Sequence, residues 1–270
     1  MDYSLPWWLR ATFFFIAIQT FDFILALVRP DLVIALEPWN ATPLNARFIA
    51  VLYLATGIGV LLCGFGRDYI QVRIVLIGIG VATSVLLVLT LFRLYFYPGE
   101  VPKLPVPWLV IYFIDSVLVA CGLWHFRAAK PLKSPPPQAA SPFSAIWIVY
   151  TVILGGVGAV MLALPGLAVQ LWPWKVSEPL AQLYGAFFLA LALVSGLSIG
   201  EWRWEAVRTT AVMLMVLGIG VVLISLLHLD RFKSSLPLLV WFVWFSAEAL
   251  IFGALLLINQ VRPVVKGVQT

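Results

Sequence analysis

The stretch Arg73-Ile74-Val75-Leu76-Ile77-Gly78-Ile79-Gly80-Val81-Ala82-Thr83-Ser84-Val85-Leu86-Leu87-Val88-Leu89-Thr90-Leu91-Phe92-Arg93 sets the class of the whole chain. Nineteen consecutive uncharged residues lie between its two arginines. As a helix they extend about 28 Å, close to the roughly 30 Å hydrocarbon core of a bilayer. In lipid every backbone N–H and C=O must be satisfied within the segment, so a run of this kind is a helix. Seven more such runs flank it, and the eight cover about 9–29, 47–65, 70–94, 106–126, 144–164, 180–199, 205–228 and 237–260.

Composition agrees with this count. Of 270 residues, 63% are apolar or aromatic and 11% are charged, against about 25% charged in a soluble domain. Eight spans of about 20 residues use most of the apolar set, which leaves no room for a sizeable extramembrane domain. Nucleic-acid binding is therefore a poor reading of the pI near 9.4. The surplus of five positive charges reads better as a topology signal. Cys63 and Cys121 both lie in apolar runs, so free buried thiols are expected rather than a disulfide. The first run carries Arg10 as its only upstream cation and no A-x-A-like site, so it is expected to remain as a span and not to be a cleaved signal peptide.

Orientation follows from the basic residues. With the N-terminus inside, the inner face carries Arg10, Arg67, Arg73, Arg127, Lys130, Lys133, Arg203, Arg208, Arg262 and Lys266. The outer face carries Arg29, Arg47, Arg93, Lys103, Lys175, Arg231 and Lys233. The excess favours both termini in the cytoplasm.

An internal repeat runs through the chain. Pro30-Asp31-Leu32-Val33-Ile34-Ala35-Leu36-Glu37-Pro38-Trp39 aligns with Pro165-Gly166-Leu167-Ala168-Val169-Gln170-Leu171-Trp172-Pro173-Trp174 at an offset of 135. Without a gap the same offset pairs Ala46 with Ala181, Leu54 with Leu189, Ala55 with Ala190 and Arg73 with Arg208, giving 14 identities over positions 30–94. This predicts two four-helix repeats, residues 1–127 and 143–270, joined by the Pro-rich cytoplasmic linker 128–142. Four is even, so both repeats enter the membrane the same way round, and their pseudo-two-fold axis should run along the membrane normal. Each repeat has a segment too short to cross between its first two spans, expected to lie in the interface with its Trp at the headgroup level. A proline-docking ligand is an alternative use of the linker.

Those residues also carry a resemblance. Pro-Trp followed by Thr42-Pro43-Leu44-Asn45-Ala46-Arg47 and an Ala/Gly-rich span, with its second copy Pro173-Trp174 through Glu178-Pro179-Leu180-Ala181, resembles uncharacterised bacterial multi-pass membrane proteins with a repeated Pro-Trp interfacial motif. The resemblance implies a bacterial inner (cytoplasmic) membrane and no particular chemistry.

In so apolar a chain the informative residues are those placed where they are costly. An ionisable group at mid-depth costs at least about 2.5–3.5 kcal/mol on insertion scales. Asp115 lies near the centre of the fourth span, Glu248 near the centre of the eighth, and Asp22 in the outer half of the first. No Lys or Arg shares their depth. One reading is a proton or substrate path lined by these carboxyls. The other has each carboxyl protonated and bonded to a neighbouring Ser, Trp, Tyr or backbone carbonyl, with Ser116 and Ser246 at hand. Asp115 and Glu248 are near-counterparts in the repeat. Anchoring on Arg127 and Arg262, however, puts Glu248 opposite Phe113, so the pairing stays open.

Arg93 and His228 occupy matching positions at outer helix ends, as do Arg47 and Gln182. Arg47, Arg93 and His228 are candidate contacts for an anion or a lipid headgroup, with snorkelling as the alternative. His125 and His228 fall at opposite faces, so no haem or metal site is expected, and no other cofactor is indicated. The Gly155-Gly156-x-Gly158, Gly78-x-Gly80 and Gly218-x-Gly220 patterns read as helix packing. Asn40-Ala41-Thr42 fits a glycosylation acceptor by chance. No Ser-His-Asp set, HExxH or paired carboxylates at helical spacing occurs.

Three function classes follow. The first is small-solute or lipid transport or handling, with Asp22, Asp115 and Glu248 facing a cavity between the repeats. The second is an accessory or structural subunit docked on a partner membrane protein. The third is an integral membrane enzyme, which nothing in the motifs supports. The lipid bilayer is the partner common to all three.

Overall fold

The computed structural model describes residues 4–36, 41–97, 105–127, 143–233 and 235–261, side chains at positions 22, 33, 36, 235, 260 and 261 excepted. The linker 128–142, Pro38-Trp39, Asn40, Lys103, Arg262, Lys266 and the Asp22 side chain lie outside this set.

Among the described residues ten α-helices follow in the order α1 (Trp7–Ile24), α2 (Pro30–Leu36), α3 (Pro43–Gly64), α4 (Tyr69–Phe96), α5 (Val106–His125), α6 (Ser144–Ala163), α7 (Pro165–Leu171), α8 (Glu178–Ile199), α9 (Trp204–Leu227) and α10 (Ser235–Val261). Among the described residues there is no strand, only the isolated bridges Ser4 with Asp68 and Trp174 with Phe232. Eight of the described helices are long and apolar enough to cross a membrane, the first continuing through a 3-10 turn to Leu27. The two that are not, α2 and α7, have seven residues each. Each starts on a proline, whose missing N–H costs nothing in a first helical turn.

Helix starts are written locally. Thr42 caps α3, its Oγ1 accepting from the Asn45 N–H, with Pro43 next in line. Asp68 caps α4 by accepting from the Gln71 N–H. Both satisfy donors that the helix itself cannot. Glu178 and Glu205 stand in the first turns of α8 and α9, where the helix dipole favours a negative charge.

The helices pack around α3 and α8, whose spans are 67% and 78% buried, against 22% for α5 and 28% for α6. In the first half α1 packs on α3 and α4 on α5; in the second α6 packs on α8 and α9 on α10. The halves meet where α3 lies against α9 and α4 against α8. Leu, Val, Ile and Phe side chains exposed on α5, α6 and α10 form the outer surface, as suits a protein whose solvent there is hydrocarbon.

Two expectations need correction. Cys63 is buried as expected, but Cys121 is exposed. It lies on the outward face of α5, a face as apolar as the one turned inward. Trp174 is not an interfacial anchor: it is 1% exposed, and its Nε1 donates to Asn45 Oδ1 at 2.7 Å. Tyr184 Oη donates to the same oxygen at 3.1 Å, while Asn45 Nδ2 donates to the Lys175 carbonyl. Phe48, Trp172 and Trp241 close a ring cluster around the Trp174 indole. A polar acceptor inside the protein outweighs the interface as a place for the indole N–H.

Candidate functional site

Asp115 sits about 13 Å along α5 from its start, by helical rise, and is 3% exposed. It opens into a cavity at the junction of α1, α3, α4, α5, α8 and α9, so both halves of the chain contribute walls. The free space is about 80 Å³. That suits a group of a few heavy atoms rather than a drug-sized molecule.

One wall is aromatic. The Phe23 and Tyr53 rings stack with centroids 3.8 Å apart, Trp108 leans on Phe23 at 4.8 Å, and Phe187 meets Tyr53 edge-on at 5.1 Å. Tyr53 and Tyr112 hydroxyls lie 3.2 Å apart. Val75, Gly78, Ile79, Val194 and Met213 also line the space.

Polar atoms in the cavity are few, and several are already committed. Thr20, Thr56 and Thr83 turn their hydroxyl protons back onto carbonyls of their own helices, at Ala17, Leu52 and Ile79. This is the usual arrangement for Thr inside a helix. Thr83 also meets Ser116, which accepts from Ser84 on the outer face of α4. Ser116 is thus engaged with α4. The Gln19 amide is near enough to the Asp115 carboxyl to act on it as a hydrogen-bond donor, although neither Gln19 Nε2 nor Asp115 Oδ1 completes a hydrogen bond of good geometry. A buried polar atom without a partner calls for an explanation.

Glu248, on α10, is fully buried, and both its carboxylate oxygens lack hydrogen-bond partners. It does not line the Asp115 cavity. Tyr150 of α6 is close enough to feel its charge. Ser246 gives it no hydrogen bond. The two acids therefore stand in separate parts of the packing: Asp115 faces space, whereas Glu248 faces packed helices.

Arg47, Arg93 and His228 are engaged across the halves. Arg47 donates from Nε to the Leu27 carbonyl, and its Nη1 is 2.6 Å from His228 Nε2. Burial, followed by the neighbouring Arg47 charge, holds the His228 imidazole below its ordinary value of 6.5. It is neutral at pH 7 and accepts from Arg47. Arg93 is 3% exposed. It donates from Nε to Gln182 Oε1 at 2.8 Å, with Glu178 Oε2 3.9 Å from Nη2 and the Tyr97 ring 5.0 Å away. A groove lined by Val88, Phe92, Leu162 and Pro165 leads up to that group.

At the other ends of these helices Glu201, 4% exposed, accepts from Arg203 at 2.7 and 2.8 Å and from Arg73 of α4. Burial alone would raise its carboxyl, but hydrogen bonds from Arg203 and the charges of both arginines outweigh that and hold it below the usual range. Among the described residues no three His, Cys, Asp or Glu side chains come together as a metal site.

Reading only the ionisable groups picks out Asp115 but misses Gln19, Tyr53, Trp108 and Tyr112. Gln19 carried a usable signal, being an amide in the middle of an apolar run. The aromatic residues carried none, because rings are common filler in membrane spans. No protein-family model matches the chain, and no match to it is found among curated proteins or solved structures.

Proposed function

We propose that the chain transports or handles a small solute that it holds inside the membrane, in the cavity at the junction of the two halves, with Asp115 as the recognition group. The observation that carries this reading is a space walled by six helices whose lining includes a buried carboxyl, Asp115, with one oxygen that has no hydrogen-bond partner. Glu248 is unpartnered too, but it lies among packed helices, whereas Asp115 borders free space. Asp22 and Glu248 are secondary members of the proposal, as are Arg47, Arg93 and His228 as outer-end contacts for anions or lipid.

The reading includes two parallel repeats of four spans in a bacterial inner membrane, with both termini in the cytoplasm. Contacts that recur with their partners exchanged support the repeat. Arg47 meets His228, and the positions 135 residues on and back, Gln182 and Arg93, meet each other. A Cβ on Gly59 would press on Met213, and one on Gly78 on Val194, the same pair under the same offset. Gly57 abuts Thr20 as Ala192 abuts Gly155. In α5 and α10 the offset becomes 133: Thr83 meets Ser116 where Gly218 abuts Ala249. At 133 Asp115 stands opposite Glu248, and Trp108 opposite Trp241. On this alignment the second repeat has packed Gly218 against α10 where the first keeps its cavity.

Native mass spectrometry of protein extracted gently from its own membrane tests the proposal. The expected result is a retained small molecule in the wild type, lost on Ala82→Phe, which fills the cavity, and weakened by Asp115→Asn. Retention undiminished in Ala82→Phe, or an empty wild-type protein bound to a second membrane protein, overturns it. The second outcome makes the chain an accessory subunit.

A further inference from the structure

The cavity walls also point to the chemistry of the occupant. Five aromatic side chains, Phe23, Tyr53, Trp108, Tyr112 and Phe187, line it together with Asp115. Aromatic faces are electron-rich and attract cations, most strongly where water is excluded. A buried carboxylate asks for the same partner. Among the described residues no Lys, Arg or His lines the space, and none of them supplies a counter-charge there. Asp115 Oδ1 is left without a hydrogen-bond partner, which an apolar solute would not remedy.

We propose that the occupant is a small alkylammonium ion, held with its positive centre against Asp115 and its methyl or methylene groups against the aromatic wall. This rests on the cavity's being the functional site. Three features favour an alkylammonium over other candidates. An anion would meet a carboxylate and ring faces, both of the wrong sign. A hard metal ion prefers several oxygen ligands and gains little from rings, and among the described residues Asp115 is the only carboxylate lining the space. A neutral hydrocarbon would use the walls but strand the carboxyl. The free volume of about 80 Å³ limits the head to a few heavy atoms, the size of a methylated ammonium group. Alkylammonium is also weakly hydrated compared with a metal ion, so it gives up less on leaving water.

The probes are tetramethylammonium and tert-butanol, which have the same number of heavy atoms and nearly the same shape but differ in charge. Saturation-transfer NMR on the full-length protein in lipid nanodiscs observes the methyl protons of both, and titration gives each Kd. The expected result is at least tenfold tighter binding of tetramethylammonium than of tert-butanol. Asp115→Asn should remove that difference. Trp108→Leu, which keeps the carboxyl and takes away one ring, should weaken the cation about threefold or more and leave tert-butanol unchanged. Equal binding of both probes, unaffected by Asp115→Asn, overturns the alkylammonium assignment while leaving the cavity as a site for apolar solutes. Binding of neither probe by a protein that carries a retained molecule in native mass spectrometry also overturns the assignment and leaves the site standing. Binding of neither by a protein that carries nothing removes both.

Discussion

Asn45 holds more of the fold together than any other uncharged polar residue described above. Its Oδ1 accepts from Trp174 Nε1 and Tyr184 Oη, and its Nδ2 donates to a carbonyl 130 positions along the chain. Asn45→Ala takes the acceptor from the buried Trp174 indole N–H, and a buried donor left unmet costs about 1–3 kcal/mol. The expected loss is about 2 kcal/mol, read as a lower midpoint of thermal unfolding in detergent. Lys175→Ala is the control. Only the backbone carbonyl of that residue takes part, so its midpoint should not move. Residue-level signals divide by range. Asp115 and Glu248 stand out in the sequence because a carboxyl at mid-span is costly wherever its neighbours are. The burial of Trp174 could not be read, because Pro-Trp after a short segment is also what an interfacial anchor looks like. What decides between them is Asn45, 129 residues away. Gln19 was legible and passed over, because an uncharged amide costs less and draws less notice.

At the scale of elements, α6 crosses α8 with backbone against backbone. A Cβ on Gly158 would come within 2.9 Å of the Leu189 backbone nitrogen and 3.0 Å of the Gly185 carbonyl oxygen. One on Gly185 would meet Met161 Cβ at 2.8 Å. Backbone cannot step aside as a flexible side chain can, so the helices would have to part. Gly158→Val is expected to destabilise the protein by at least about 1–3 kcal/mol. Gly156→Val, two residues away with nothing within 4 Å of the added carbon, should leave stability near the wild type. Unfolding midpoints of the two variants under one detergent condition check this, and equal losses would contradict the crossing. All eight spans were legible because length and hydropathy are local properties. The two seven-residue helices were legible as segments too short to cross. The buried face of each helix was not. In a soluble helix polarity marks the outside, but here both faces are apolar. That is why Cys121 points outward although its sequence surroundings match those of Cys63.

Across the whole molecule, the two halves are tied at both ends of the bundle by polar groups. Arg47 with His228 and Arg93 with Gln182 hold one end, and Arg73 with Glu201 and Arg203 the other. The ties answer to acid in two different ranges. His228 is held below 6.5 by burial and by Arg47, so the unfolded chain takes up its proton first as pH falls. Stability tied to the neutral imidazole is whole above about 6.5 and declines below it, until the lowered folded-state value is passed. A protonated ring can no longer accept from Arg47 and sets a second positive charge beside it. Glu201, held below its ordinary 4.5 by the two arginines, keeps its share of stability through that range. It gives it up only at lower pH, as the carboxylate is protonated. Unfolding midpoints measured from pH 8 to pH 3 should therefore fall in two steps. His228→Gln keeps an acceptor for Arg47 without a titrating group. It should flatten the first step, worth about 1 kcal/mol for one lost hydrogen bond, and leave the second in place. A first step that survives His228→Gln would mean that the acid sensitivity lies elsewhere. The tie between α3 and α9 would then be a contact of geometry rather than of energy.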